Sequence, residues 1–244
     1  MMNTIGIIPA RFGSSRFPGK PLALIGGIPM IQRVYEQCLK SDLNFVIVAT
    51  DSDEIFDAVN SFGGNAVMTS AEHPSGTDRC REALNSLQES FDLVINIQGD
   101  EPFINPEQIN QVISILEKTN AEIASLISPA VNMEEVENPN RVKAVTAKDG
   151  KALYFSRYGI PFPRNKAGLE SEDYSIHLGI YGFTTSALKK TKGLKLSSLE
   201  KTEGLEQLRW LQNGMSIYTA ITNERADSVD TPEDLRAIEK KYLL

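Results

Sequence analysis

An α/β fold is predicted for this chain, with parallel strands joined by helical crossovers in the first half and a mixed sheet beyond it. Short apolar runs alternate with amphipathic helical patterns, which is how buried parallel strands and their covering helices read in sequence. From residue 141 the texture changes to a hairpin pattern, which an antiparallel addition to the sheet would produce. The 244 residues suffice for one large domain, so we read a single domain, 1–244, with an inserted β-rich arm at about 152–184.

Residues 4–9 form the first strand, and a long basic loop with glycines follows. Pro29 then opens a helix reaching about Lys40, whose inner face is Met30, Ile31, Val34, Tyr35 and Cys38 at helical spacing. The continuous run 43–49 reads as a buried strand, a helix over 51–62 is ended by Gly63 and Gly64, and a short strand follows at 66–68. Thr77 is placed as the cap of a helix with inner face Cys80, Ala83, Leu84 and Leu87, ahead of a buried strand at 93–97. Pro106 opens the next helix, bearing Ile109, Val112, Ile113 and Leu116. Residues 142–147 and 152–156 flank the turn Lys148-Asp149-Gly150 as a hairpin. The prolines and charges of 159–175 read as a surface excursion before a strand at 176–183. A helix over 198–212, a strand at 217–221 and a helix from Pro232 complete the chain, with no internal repeat.

Composition narrows the function. With 41% apolar and 23% charged residues and no apolar run long enough to cross a bilayer, no membrane insertion is expected. Residues 1–12 carry neither a basic start nor a small-residue cleavage site, which predicts a cytoplasmic protein. A net charge of -7 opposes nucleic-acid binding, so any anionic ligand must find a local basic pocket. Cys38 and Cys80 fall at apolar helix positions and read as core thiols rather than as a disulfide or metal pair.

The stretch from Pro9 to Pro21 follows the first strand, at the sheet edge where open α/β sheets bind ligands. Its glycines admit backbone amides to phosphate oxygens, and Arg11, Arg16 and Lys20 supply charge, so it suits a polyphosphate; a solvated basic turn is the alternative. It is not a Walker A loop, because five residues separate Gly13 from Gly19 and Pro21 stands where Ser or Thr would ligate the metal. Gln98-Gly99-Asp100-Glu101-Pro102 ends an apolar strand and puts Asp100 on the same edge, where a hard carboxylate suits Mg²⁺, a capping turn being the alternative. In Ser228-Val229-Asp230-Thr231-Pro232-Glu233-Asp234 the cap Thr231, Pro232 and Asp234 are explained by a helix start. Asp230 is left over, a candidate second metal ligand. Ser75, Gly76 and Thr77 offer amides and hydroxyls to a nucleobase edge, or a helix cap alone. Arg157, His177, Tyr181, Glu206 and Gln207, with Glu203, supply the polar groups a carboxylated polyol needs, although singly each also fits a structural role.

Taken in order, Ile8-Pro9-Ala10-Arg11, Pro18-Gly19-Lys20-Pro21, Ala49-Thr50-Asp51, Ser75-Gly76-Thr77, Asn96-Ile97-Gln98-Gly99-Asp100-Glu101-Pro102, Leu153-Tyr154-Phe155-Ser156-Arg157, His177-Leu178-Gly179-Ile180-Tyr181, Leu205-Glu206-Gln207-Leu208-Arg209 and Val229-Asp230-Thr231-Pro232 closely resemble the 3-deoxy-manno-octulosonate (Kdo) cytidylyltransferase, or CMP-Kdo synthetase, family over nearly the full length. The resemblance implies a Rossmann-like, mainly parallel sheet flanked by helices, of the nucleotide-diphospho-sugar transferase type, with the arm contributing to a homodimer. It implies that Arg11, Ser14, Arg16 and Lys20 hold the CTP phosphates, that Ser75, Gly76 and Thr77 lie near cytosine, and that Asp100 and Asp230 bind Mg²⁺. Lys20, Asp100 and Asp230 are then the catalytic set, and Gln98, Arg157, His177, Tyr181, Glu206 and Gln207 surround Kdo. Phe12-Gly13-Ser14-Ser15 and Glu72-His73-Pro74 depart from the commonest family wording. The implied reaction moves CMP from CTP to Kdo for lipopolysaccharide biosynthesis. A cytidylyltransferase for 8-amino-Kdo or sialic acid, and a nucleotide-sensing binding module, are the rival readings.

Overall fold

The computed structural model describes residues 2–13, 17–165 and 170–243. Its contacts gather the chain into two compact units, residues 1–110 with 225–244, and residues 111–224. In the first unit the elements run β1 (Thr4–Ala10), β2 (Leu24–Ile25), β3 (Ile28–Pro29), α1 (Met30–Cys38), β4 (Phe45–Thr50), α2 (Asp53–Ser61), β5 (Ala66–Met68), α3 (Gly76–Ser86) and β6 (Leu93–Asn96). β1 pairs parallel with β4 on one side, Ile5 opposite Phe45, and with β6 on the other, Thr4 opposite Leu93, while β4 pairs parallel with β5. The chain therefore steps outward from β1 to β4 and β5 and then returns to the far side of β1. At such a reversal the loops after the two diverging strands splay apart and leave a crevice at their carboxyl ends.

The strands are central because their side chains are apolar on both faces: Ile5, Ile7, Ile8, Val48, Val94 and Ile95 are all buried. The inner face of α1 is the expected one, with Met30, Ile31, Val34, Tyr35 and Cys38 buried. Cys38 and Cys80 are free, buried thiols, as the apolar spacing predicts, and burial pushes the Cys38 thiol far above its ordinary range. The cap of α3 is Ser75, whose hydroxyl accepts from the Asp78 amide at 3.2 Å, and not Thr77, which lies buried within the first turn. Both residues are competent caps; the one whose own backbone stays extended takes the position.

Helix α4 (Pro106–Lys118) carries the chain into the second unit. There follow β7 (Ile123–Pro129), α5 (Met133–Glu137), β8 (Lys143–Thr146), β9 (Ala152–Ser156), β10 (Ser175–Thr184), α6 (Thr185–Lys190), α7 (Ser198–Glu203), α8 (Glu206–Gln212) and β11 (Ile217–Ile221). β7 pairs antiparallel with β10 and parallel with β11, and the β8–β9 hairpin joins through β8 to β10. The expected helix over 198–212 is two helices, because Gly204 at φ 63° closes α7 with a left-handed cap before Leu205 starts α8. At the hairpin turn Gly150 has φ 85°, and a Cβ there would sit 2.5 Å from the Thr219 carbonyl oxygen, so only glycine lets the turn lie against β11. The C-terminal helix (Pro232–Tyr242) belongs to the first unit.

Candidate active site

In the first unit the segments after β1 and β6 line a cavity of about 290 Å³ together with the start of α3 and Asp230. Gly19, at φ 68°, turns the basic loop and donates to the Phe12 carbonyl at 3.0 Å, which brings Lys20 back over the sheet edge. Lys20 Nζ then donates to Asp100 Oδ2 at 2.7 Å and reaches Asp230 Oδ1 at 3.4 Å. Two carboxylates far apart in sequence thus point at one cationic centre. Asp100 is brought there by the β6 loop, whose Gly99 permits close packing: a Cβ at Gly99 would lie 3.1 Å from the Pro9 carbonyl oxygen. Asp230 is brought there by a hydrogen bond from the Val229 amide to the Asp100 carbonyl at 2.9 Å. Beyond it, Thr231 and Asp234 make the reciprocal cap that the sequence predicts.

Arg11, Lys20, Ser75, Gly76, Gln98, Asp100 and Asp230 all line this cavity, so the structure brings most of the expected nucleotide and metal residues to one place. Thr77 is buried behind it. Ser14 and Arg16 lie outside the described residues. His73 and Arg79 also line the cavity and were not singled out individually as site residues from the sequence. Arg79 is held by Asp51 at 2.7 Å and Thr69 at 2.6 Å, which aims a buried guanidinium at the pocket wall. His73 is paired with Glu82, and that hydrogen bond, outweighing the upward effect of burial, keeps the Glu82 carboxyl below its ordinary range. Their signal in sequence was only adjacency to Ser75, since neither residue's partner is a near neighbour in a motif.

The cavity's chemistry fits a divalent ion that arrives with a polyphosphate. Mg²⁺ is commonly held by one or two carboxylates, the rest of its shell being phosphate oxygens and water. Asp100 and Asp230 already converge on a cation, and among the described residues no group of three or more His, Cys, Asp or Glu forms a self-sufficient metal cage.

The second unit holds the other expected residues. In β10 the pairing shifts so that His177 opposes Ile127 and Tyr181 opposes Ser125, with Gly179 and Ile180 looped out between them. His177 and Tyr181 therefore behave as next-but-one neighbours, their rings 5.3 Å apart, with Phe155 edge-on to His177 at 4.9 Å and Trp210 edge-on to Tyr181 at 5.1 Å. The Ser125 hydroxyl donates to the Ile180 carbonyl at 2.8 Å, so it accepts from His177 Nε2–H at 2.9 Å. Burial lowers the His177 pKa to about 3, so the ring is neutral at pH 7 and Nδ1 is an acceptor. Burial, then the nearby Glu206 charge, holds the Tyr181 phenol well above its ordinary range.

Arg157 spends three of its donors on backbone carbonyls: Nε on Glu203 at 2.7 Å, Nη1 on Pro139 at 2.9 Å and Nη2 on Gly204 at 3.2 Å. A guanidinium has five N–H groups, so one remains on each terminal nitrogen, the pair a carboxylate would take. Its own backbone is fixed as well: the Glu203 carboxylate accepts from the Arg157 amide at 2.9 Å and from the Ser156 hydroxyl at 2.7 Å. The buried Lys143 ammonium donates to the Arg157 carbonyl at 2.6 Å and to the carbonyls of Asn138 and Arg141. Gln207 is buried and Glu206 opens the first turn of α8.

Comparison with known proteins narrows the chemistry. A family model described as cytidylyltransferase matches residues 5–217. A 3-deoxy-manno-octulosonate cytidylyltransferase of Parabacteroides distasonis is 49% identical over 96% of both chains. An 8-amino-3,8-dideoxy-manno-octulosonate cytidylyltransferase of Shewanella baltica is 48% identical over 98% of both. Among solved structures, a CMP:2-keto-3-deoxy-manno-octonic acid synthetase complexed with CTP superposes with a TM-score of 0.92 at 39% identity, covering 98% of this chain and 97% of its own.

Proposed function

The chain belongs to the cytidylyltransferase family, and from that premise we propose that it transfers CMP from CTP to Kdo, giving CMP-Kdo and pyrophosphate. The observation that carries this reading is the convergence of Asp100 and Asp230 on Lys20 at the carboxyl ends of β1 and β6. A binding module needs the basic loop but has no use for two acids aimed at its centre.

In the proposed reaction the anomeric 2-hydroxyl of Kdo attacks the α-phosphorus of CTP in line with departing pyrophosphate. Arg11 and Lys20, with Ser14 and Arg16 from the same loop, hold the phosphates, and the Ser75-Gly76-Thr77 turn receives cytosine. Asp100 and Asp230 would hold Mg²⁺, which when bound neutralises developing charge on the leaving group and acidifies the attacking hydroxyl. Because phosphoryl transfer leaves little covalent work for protein groups, positioning and charge account for the rate. In the second unit Arg157 offers its two remaining N–H groups to the Kdo carboxylate, neutral His177 accepts from a sugar hydroxyl at Nδ1, and Tyr181, Glu206 and Gln207 complete the set.

A cytoplasmic homodimer acting in lipopolysaccharide assembly completes the proposal. No helix among the described residues is long and apolar enough to cross a membrane. Tyr158 at 75% and Phe162 at 77% exposure, both in the expected arm, support its role in a subunit contact. The testing experiment is pyrophosphate release over a grid of four nucleoside triphosphates and of Kdo, 8-amino-Kdo and sialic acid, with and without Mg²⁺. Release confined to CTP, Kdo and Mg²⁺ is expected. Preference for 8-amino-Kdo would reassign the acceptor, and no release from any pair would overturn the enzyme reading.

A further inference from the structure

Asp100 and Asp230 sit on two separate pieces of chain, and something must hold those pieces in register. On the Asp100 side the turn continues through Phe103, closed by the Ile104 amide on the Glu101 carbonyl at 3.1 Å. On the Asp230 side an irregular segment from Asp227 leads into the C-terminal helix. One side chain, Tyr242 in the last turn of that helix, touches both. Its ring stacks on Phe103 with centroids 4.1 Å and planes 7° apart, and its hydroxyl donates to Asp227 Oδ2 at 3.0 Å. Lys241 Nζ reaches the same oxygen at 2.5 Å. Between these two anchors lies the Val229 amide to Asp100 carbonyl bond, with Val229 packed among Ile25, Met30 and Ile238 and Phe103 lying against the same cluster.

We propose that Tyr242 is a positioning residue, bracketing the Phe103 turn and the Asp227 segment so that the Asp100 and Asp230 carboxylates keep the spacing that receives the divalent ion. The inference rests on the reading of those two acids as metal ligands. A helix end whose last residues only covered the sheet would need neither a stacked ring on the Phe103 turn nor a hydroxyl on the Asp227 segment. Tyr242 is 38% exposed, so its removal leaves the buried clusters of the unit intact.

The test uses the full chain with CTP and Mn²⁺ in place of Mg²⁺, without acceptor, following Mn²⁺ uptake by electron paramagnetic resonance and hydrogen exchange at the Val229 amide. Tyr242→Ala is expected to speed Val229 exchange and weaken Mn²⁺ uptake by about 10-fold, the size of effect seen when a ligand's supporting contact is removed. Tyr242→Phe keeps the ring on Phe103 but loses the hydroxyl on Asp227, so it should show part of the same loss in both readouts, and Phe103→Leu, from the other side of the stack, should reproduce it. Unchanged Mn²⁺ uptake in Tyr242→Ala overturns the proposal, as does a Tyr242→Phe chain that takes up Mn²⁺ as tightly as the parent. Asp230→Asn separates the two levels: if it binds Mn²⁺ as well as the parent chain, the ligand assignment itself has failed and the bracket falls with it.

Discussion

At the scale of single residues, His177 illustrates how environment sets chemistry. An ordinary histidine titrates near 6.5, but burial lowers this one to about 3, and its Nε2–H is committed to Ser125. The unfolded chain therefore binds a proton on this side chain between pH 6.5 and 3 that the folded chain refuses, so this group's contribution to stability is complete above 6.5 and is lost as pH falls toward 3. Replacing His177 by Gln should remove that part of the acid destabilisation, visible as a flatter melting temperature across the window. A variant with unaltered acid sensitivity would show that the ring is not held neutral. His177 and Tyr181 are legible in the sequence as polar candidates, but their contact is not, because it depends on looping out Gly179 and Ile180. A glycine inside a strand pattern was the available hint. His73 and Arg79 escaped for a related reason: their partners Glu82, Asp51 and Thr69 become neighbours only when α3 packs beside β4 and β5.

At the scale of elements, the first half of the chain was legible because its signals are local: apolar runs for β1, β4 and β6, and helical spacing for α1. The second half depends on turns. The β8–β9 hairpin was readable from Lys148-Asp149-Gly150, and the structure shows why Gly150 is required there. Gly150→Ala combines a left-handed φ of 85° with a 2.5 Å approach to the Thr219 carbonyl, so it should destabilise the chain by more than about 1 kcal/mol in denaturant unfolding. Wild-type stability in that variant would mean the turn can move off β11 at no cost. Gly204 lies inside an otherwise helical pattern, and its left-handed cap, rather than any proline, divides α7 from α8. β7 falls between the Pro106 helix and the hairpin, where a short apolar run carries no periodicity that separates a buried strand from a helix end.

At the scale of the whole molecule, a chain of net charge -7 gathers Arg11, Lys20 and Arg79 on one cavity and sets two aspartates within reach of Lys20. That concentration, not overall charge, is what makes an acidic protein a receptor for a triphosphate. The order of the motifs made this gathering foreseeable. The partition of contacts into two units, with the residues expected at the nucleotide in one and most of those expected at the sugar in the other, was not, because it depends on which long-range pairs form. We propose that the divalent ion and CTP share a site completed by Asp100 and Asp230. Calorimetric titration of CTP with and without Mg²⁺, into the parent chain and into Asp100→Asn, decides whether they do. Mg²⁺ should tighten CTP binding in the parent by at least about 10-fold, a typical coupling between linked ligands, and should do so hardly at all in the variant. Equal tightening in both chains, or none in the parent, would contradict it.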